Sequence, residues 1–311
     1  MNLREVENVQ VTCLVDNSVD VLLQSTGIAK RALLKEDWDT RPLLAEHGFS
    51  AFLSLEINGK RRNVLFDTGL DPHAASHNAE VLNLDLARSE MVVSSHGHID
   101  HAGGLLEVKR RIGKKQIPLL LHPNSFRNRF VKFPNGTSFN LRPPNRSLLA
   151  DSGYSIREEK RATLQIDDSL LVTGQIPRTN DFEKGMPIHF TEVDDRLEPD
   201  PLIEDDQAII FRLKDKGLVV ITGCAHAGVI NTISYAKELT GEDRIYAVIG
   251  GMHLTGGLFE AIIPRTVQEL EKFKPKFLIP CHCTGVKAMW SMMNNMPNAF
   301  IQNSVGTEYT F

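Results

Sequence analysis

A chain of 311 residues, 41% hydrophobic and 24% charged, can bury roughly three quarters of its unfolded surface, which excludes a disulfide-stapled miniprotein and a collagen-like or largely disordered chain. With 35 basic against 39 acidic residues the net charge is −4, so no global basic surface for nucleic acid is expected. Apolar runs such as Gly217–Ile221 and Phe277–Pro280 are too short to span a membrane, Met1-Asn2-Leu3-Arg4-Glu5 is not the start of a signal peptide, and the four cysteines (Cys13, Cys224, Cys281, Cys283) suggest reduced thiols in a cytoplasmic protein.

In chain order, Val9–Val15 and Phe49–Ile57 read as strands. Asn58-Gly59 reads as a hairpin turn, with Arg62–Phe66 as the returning strand that ends at Asp67-Thr68-Gly69. Residues 73–84 suit a helix. Met91–Ser94 reads as a short buried strand, followed by a polar loop at His96–His101, a helix over Gly103–Arg111 and a buried strand at Ile117–Leu121. Residues of about 123–206 break this rhythm and read as an insertion or lid on one domain spanning 1–311. Its first part carries Arg127, Arg129, Lys132, Arg142 and Arg146 without an acidic residue, interleaved with Phe126, Phe130, Phe133 and Phe139. Such a stretch suits clamping an anion and stacking on a flat ring; a solvated basic loop anchored by phenylalanines is the plainer alternative. Beyond it the rhythm resumes with strands at Ala208–Leu213, Gly217–Ile221, Ile245–Ile249 and Phe277–Ile279, and helices near Val229–Leu239 and Pro264–Lys272. Strands and helices in both halves suggest two packed sheets with helices outside.

The chemistry concentrates in Ser95-His96-Gly97-His98-Ile99-Asp100-His101-Ala102-Gly103-Gly104. In an extended loop residues two apart point the same way, so His96 and His98 can grip one cation and Asp100 and His101 a second. Imidazole and carboxylate suit zinc, iron or manganese better than calcium. A loop of solvated histidines is the bland alternative, and four ligand-type side chains at this spacing argue against it. Three later histidines follow strand ends: His226 in Gly223-Cys224-Ala225-His226, His253 in Gly250-Gly251-Met252-His253, and His282 in Cys281-His282-Cys283. Singly, each is as consistent with a structural histidine; together they supply the partners that two ions still lack. His226 and His282 are expected as ligands, His253 as a ligand or substrate contact. Cys224 is open between ligand and buried thiol, whereas Cys281 and Cys283 read as plain buried thiols. His47, His73, His77 and His189 have no supporting context and read as surface residues or as supports behind the ligands, and His122 reads as core or edge packing at a strand end, with a substrate contact as the alternative. Arg178 is the first choice for a substrate phosphate contact and Lys184 the second.

The metal loop, Phe66-Asp67-Thr68-Gly69 and the late Pro280-Cys281-His282-Cys283 resemble the metallo-β-lactamase superfamily. Val15-Asp16-Asn17, Thr173-Gly174-Gln175-Ile176-Pro177-Arg178, Asp205-Asp206-Gln207-Ala208, Gly223-Cys224-Ala225-His226-Ala227-Gly228, Gly250-Gly251-Met252-His253-Leu254 and His282-Cys283-Thr284-Gly285 resemble its group of metal-dependent hydrolases similar to 7,8-dihydropterin-6-methyl-4-(β-D-ribofuranosyl)aminobenzene-5′-phosphate synthase. The resemblance implies an α/β fold, an αββα sandwich of two mixed sheets flanked by helices, with two divalent metal ions at one sheet edge: zinc first, with manganese, iron or magnesium as alternatives. It implies His96, His98 and His226 as ligands of one ion, Asp100, His101 and His282 as ligands of the other, and Asp67 as the residue that orients the metal loop. Where most relatives place a bridging aspartate after the glycine that ends a late strand, this chain reads Gly223-Cys224, so either Cys224 bridges, or a water does, or the site differs.

A water shared by two cations loses its proton near neutral pH and attacks an ester. The first expectation is therefore a hydrolase of a small anionic, phosphate-bearing ester, with Asp100 and His101 as catalytic residues. A transferase that condenses a pterin methyl diphosphate with a ribosylaminobenzene phosphate is the second, and a catalytically silent metal-binding sensor a third, of another class. A flavodiiron-type oxidoreductase lacks room for its flavodoxin domain. Neither nucleic acid nor membrane is expected as a partner, and a homo-oligomer stays open.

Overall fold

Side-chain alternation along the strands decides the layering. The computed structural model of the protein, which describes residues 1–32, 36–37 and 39–311, sends Leu53, Leu55, Val64, Phe66 and Val93 from one sheet and Ile209, Phe211, Val219, Ile221 and Ile249 from another into one shared core. The intervening residues face outward. Phe52, Leu65, Val92 and Leu119 pack under Ala75, Leu105, Val108 and Ile112 of the helices on their side. Ile210, Leu218, Val220 and Val248 pack under Ile233, Val267, Leu270 and Met292 on the other. The result is helix, sheet, sheet, helix, the αββα sandwich that the resemblance implies. Each such aliphatic side chain contributes about 1.5–3 kcal/mol through burial, so no disulfide is needed, and all four cysteines are free.

The first sheet runs in the order Tyr154–Glu158, Ile117–Leu121, Ser89–Val93, Lys60–Phe66, Ser50–Ile57, Asn8–Val15, Glu308–Thr310 and Ala29–Lys30. Its hairpin turns at Asn58 and Gly59, both at positive φ (52° and 70°), as a tight two-residue turn requires. The second runs Thr163–Gln165, Leu170–Val172, Ala208–Leu213, Gly217–Thr222, Ile245–Gly251 and Phe277–Cys281, with Glu5–Val6 beside Ala208–Leu213. Gly217–Thr222, Ile245–Gly251 and Phe277–Cys281 are mutually parallel, so the loops that follow them leave from one edge. Lys60–Phe66 and Ser89–Val93 are likewise parallel.

Two expectations change. The stretch His96–His101 is not wholly loop: Ile99–Ala102 forms one helical turn, which separates Asp100 and His101 from His96 and His98 by a change of backbone conformation rather than by alternation. Residues 123–206 also divide. Tyr154–Glu158 pairs with Ile117–Leu121 in the first sheet, and Thr163–Gln165 and Leu170–Val172 belong to the second. What remains outside the sandwich is a small third sheet of Arg196–Pro199, His189–Val193, Arg129–Lys132 and Ser138–Asn140. It joins two local hairpins that lie some sixty residues apart in the chain, so local pattern does not reveal the pairing of Arg129–Lys132 with His189–Val193. Among the described residues no helix is long and apolar enough to cross a membrane.

Candidate metal centre

Strand ends on both sheets deliver their loops to one edge of the sandwich. His96 and His98 follow Ser89–Val93, with Asp100 and His101 in the next helical turn. Cys224 and His226 follow Gly217–Thr222, His253 follows Ile245–Gly251, and His282 and Cys283 follow Phe277–Cys281. Three overlapping groups of donor atoms result, each with its atoms within 4.8 Å of one another: Asp100, His101, Cys224 and His282; His96, Cys224 and His226; Cys224, His253 and Cys283. Cys224 is common to all three. His98 stands beside the second group rather than in it, with its ring 4.4 Å from that of His96 and 4.9 Å from that of His226.

The donor chemistry fits cations. The Nε2 atoms of His96 and His226 face each other at 3.1 Å, and the buried Nε2 of His98 has no hydrogen-bond partner. Burial, and then repulsion from the neighbouring imidazoles, hold His96, His98 and His226 well below the ordinary histidine range. Neutral imidazole is the form that ligates metal. Burial also opposes charge on His101, but Asp100 and Asp67 outweigh it and raise its pKa to about 9. Asp100 is held well below the carboxylate range, against burial, by His101 and His282.

Surrounding groups fix these rings. Asp67 Oδ2 pairs with His101 Nδ1 at 2.8 Å and accepts from Ser95 Oγ at 2.7 Å, while its Oδ1 accepts from the Ser95 N–H at 2.6 Å. Ser95 Oγ lies 2.9 Å from His96 Nδ1. Asp16 accepts from the His282 N–H at 2.6 Å, and Asn17 Oδ1 sits 3.2 Å from His282 Nδ1. Such partners set which ring nitrogen faces the ion. A Cβ at Gly97 would lie 2.0 Å from the Ser125 carbonyl oxygen, so only glycine lets the loop pass there.

Several residues singled out by sequence take other roles. Arg178 is held by the protein on one side: its Nη2 donates to the carbonyl oxygens of Leu202 and His226 at 2.7 and 2.8 Å, which pins the His226 loop, while its Nε is buried without a hydrogen-bond partner. Lys184 instead lines a cavity of about 260 Å³ with Phe182, His226, Met252, His253 and Phe259. A larger cavity, about 560 Å³, lined by residues that include Thr12, Arg31, Pro42 and Leu84, touches none of the donor residues. The basic residues of 123–147 largely have partners within the protein. Arg129 is buried against Asp200 at 2.7 Å and Asp205 at 2.6 Å, Arg127 lies 3.8 Å from Asp200, Arg146 pairs with Glu158, and Lys132 lies over Phe190. Asp205 Oδ2 also accepts from the Gly97 N–H at 2.8 Å, so Arg129 braces the metal loop through Asp205.

Sequence reasoning missed three neighbours of the centre. His189, on the third sheet, is buried with its ring 5.2 Å from that of His98. His47 places its ring 4.7 Å from that of His282. Cys283, read as a plain thiol, places its Sγ 3.2 Å from that of Cys224, because a three-residue helical turn at His282–Thr284 reverses the alternation expected of an extended Cys-His-Cys. The only local signal for Cys283 was its place beside a late histidine; His189 and His47 carried none. Cys281 points into the inter-sheet core, as expected of a buried thiol. His122 caps the turn at Pro123–Phe126, its Nδ1 accepting from the Asn124 N–H.

A family model described as the metallo-beta-lactamase superfamily matches residues 53–282. The chain is 28% identical over 264 residues, 83% of its length and 88% of the relative's, to 7,8-dihydropterin-6-methyl-4-(beta-D-ribofuranosyl)-aminobenzene-5'-phosphate synthase of Methanocaldococcus jannaschii. It is 30% identical over 283 residues, 88% of its length and 97% of the relative's, to an uncharacterized protein of the same organism. Among solved structures, Tm1679, described as a metal-dependent hydrolase of the beta-lactamase superfamily, superposes with a TM-score of 0.74 at 24% identity, covering 96% of this chain and 98% of its own.

Proposed function

The chain belongs to the metallo-β-lactamase superfamily, and from that premise we propose that it is an enzyme holding two divalent ions, zinc in the first instance, and that it hydrolyses a small phosphate-bearing ester. The observation that carries this reading is the pair of donor groups joined through Cys224 beside a cavity lined by Lys184, Phe182 and Phe259. His96, His98 and His226 would hold one ion and Asp100, His101 and His282 the other, with Cys224 within reach of both sets. When bound, such ions act as Lewis acids on a phosphoryl oxygen and lower the pKa of water toward about 7.

The chain's own residues would do the rest. Asp100, with its side chain 17% exposed, can take up the proton released as water attacks. Asp67 keeps the His101 ring oriented. Lys184 offers a charge to the phosphate, and Phe182 and Phe259 offer faces to an apolar or planar group. His253, whose ring packs 4.6 Å from that of Phe259, would close the inner end of the cavity.

One observation favours a second reading, a condensation in which diphosphate leaves and an aminobenzene ring attacks the resulting methylene. It is the 28% identity to a relative named as the synthase, together with a cavity of suitable lining. Purified protein assayed on a panel of phosphoesters, and in parallel on a dihydropterin methyl diphosphate with a ribosylaminobenzene phosphate, tests both. Release of alcohol and phosphate from the esters is the expected result. Turnover of only the second mixture replaces hydrolysis with condensation. Stoichiometric metal with neither turnover returns the chain to a silent sensor.

A further inference from the structure

The third donor group shares only Cys224 with the two just assigned. Cys283 Sγ sits 3.2 Å from Cys224 Sγ, and His253 completes a set whose donor atoms lie within 4.8 Å of one another. The loops that carry them are tied together. The N–H groups of Leu254 and Thr255 donate to the Cys283 carbonyl oxygen at 3.1 and 3.3 Å, and the Met252 N–H donates to Thr284 Oγ1 at 3.1 Å. A Cβ on Gly251 would lie 2.8 Å from Cys283 Sγ, so glycine there leaves room for the sulfur. Both sulfurs are buried. His253 is held at φ 44°, and its Nδ1 is buried without a hydrogen-bond partner.

Two sulfurs and an imidazole form a softer donor set than the imidazole and carboxylate groups beside it. Thiolate selects zinc and other thiophilic ions, and a thiolate sulfur has lone pairs enough to serve more than one ion. We propose that Cys224, Cys283 and His253 form a separate, sulfur-rich position for a thiophilic divalent cation, with Cys224 shared between it and the neighbouring groups. Binding there displaces the two thiol protons to solvent and leaves two thiolates and a neutral imidazole around the ion. The position goes beyond the proposed reaction and does not depend on which ester, if any, is cleaved.

Titration of the reduced, metal-free, full-length protein with cadmium tests it, reading the ultraviolet thiolate-to-cadmium band and the number of ions bound per chain. Cys283→Ser is expected to bind one ion fewer and to lose about half of the band, one of two thiolates being gone. His253→Ala is expected to weaken cadmium binding about 10-fold or more. His98→Ala, which touches only the imidazole set, should keep the band. Circular dichroism and the thermal midpoint establish that each variant is folded. Should Cys283→Ser fail to fold, the count and affinity of His253→Ala decide in its place. An unchanged ion count and band in the folded variants overturn the proposal, as does disappearance of the band in His98→Ala. Activity is not the readout, so failure here leaves the reading of the reaction to its own assay.

Discussion

The donor cage has two walls, and they are finished differently. On the wall formed by residues 94–101 with Asp16, Asn17 and Asp67, the outward ring nitrogens of His96, His101 and His282 have hydrogen-bond partners within the protein. On the facing wall, the Nδ1 atoms of His226, His253 and His189 are buried with no partner. A buried polar atom left unpaired costs about 1–3 kcal/mol, and a fold seldom tolerates several together. The first wall is therefore fixed at these three rings, while its His98 Nε2 stays buried without a partner. The second keeps its capacity for what arrives.

The contrast is sharpened most by attacking the donors themselves. His98→Ala and Asp100→Ala should each reduce bound metal and activity together, activity by on the order of 100-fold or more, while circular dichroism stays native. Metal content unchanged in both would remove the ligand assignment. Exhaustive chelation should reproduce the loss in the unaltered protein, and re-addition of zinc should reverse it.

Next in size is the brace behind the first wall. Arg129→Met leaves Asp200 and Asp205 buried without their cation, which should cost about 3–5 kcal/mol of stability, read from chemical denaturation. Because Asp205 also holds the Gly97 N–H, metal retention should fall with it. A variant as stable as the parent would make the third sheet a mere cover. Asp67→Asn is milder: the side chain keeps its size but offers one acceptor oxygen where Ser95 and His101 now use two. Metal affinity should drop about 10–100-fold, by calorimetric titration, with little change in the thermal midpoint.

The two walls also differ in how far the sequence reveals them. His96, His98, Asp100 and His101 lie within six residues and announce themselves as a cluster. The strand Ile117–Leu121 is legible for a similar reason, since burial on both faces needs only its own five residues. The facing wall is assembled from distant pieces. His189 reaches the centre because His189–Val193 pairs with Arg129–Lys132, and Cys283 because a single turn follows Phe277–Cys281. Neither event leaves a local pattern. Arg178 is legible only in part for the same reason: a guanidinium beside a proline and two polar residues suggests anion binding, and nothing local reveals that its Nη2 holds carbonyl oxygens 24 and 48 residues away.

The smallest expected effect separates the walls most cleanly. His189 belongs to neither imidazole group and lies one ring beyond His98. Burial, then His253 and Arg129, lower its pKa to about 3, so it is neutral at pH 7 and has one N–H to offer a bound anion. His189→Gln keeps a donor but shifts it; His189→Ala removes it. If the facing wall serves substrate, His189→Ala should raise KM about 10-fold, near the value of one hydrogen bond to a charged group, with metal content unchanged and with His189→Gln recovering part of the loss. If the ring is a ligand, metal content falls in both variants. If it merely fills space, stability falls and KM does not. Only the first outcome leaves the two walls with separate tasks, because only then does a histidine beside the cage act on the molecule that enters and not on the ions the cage would hold.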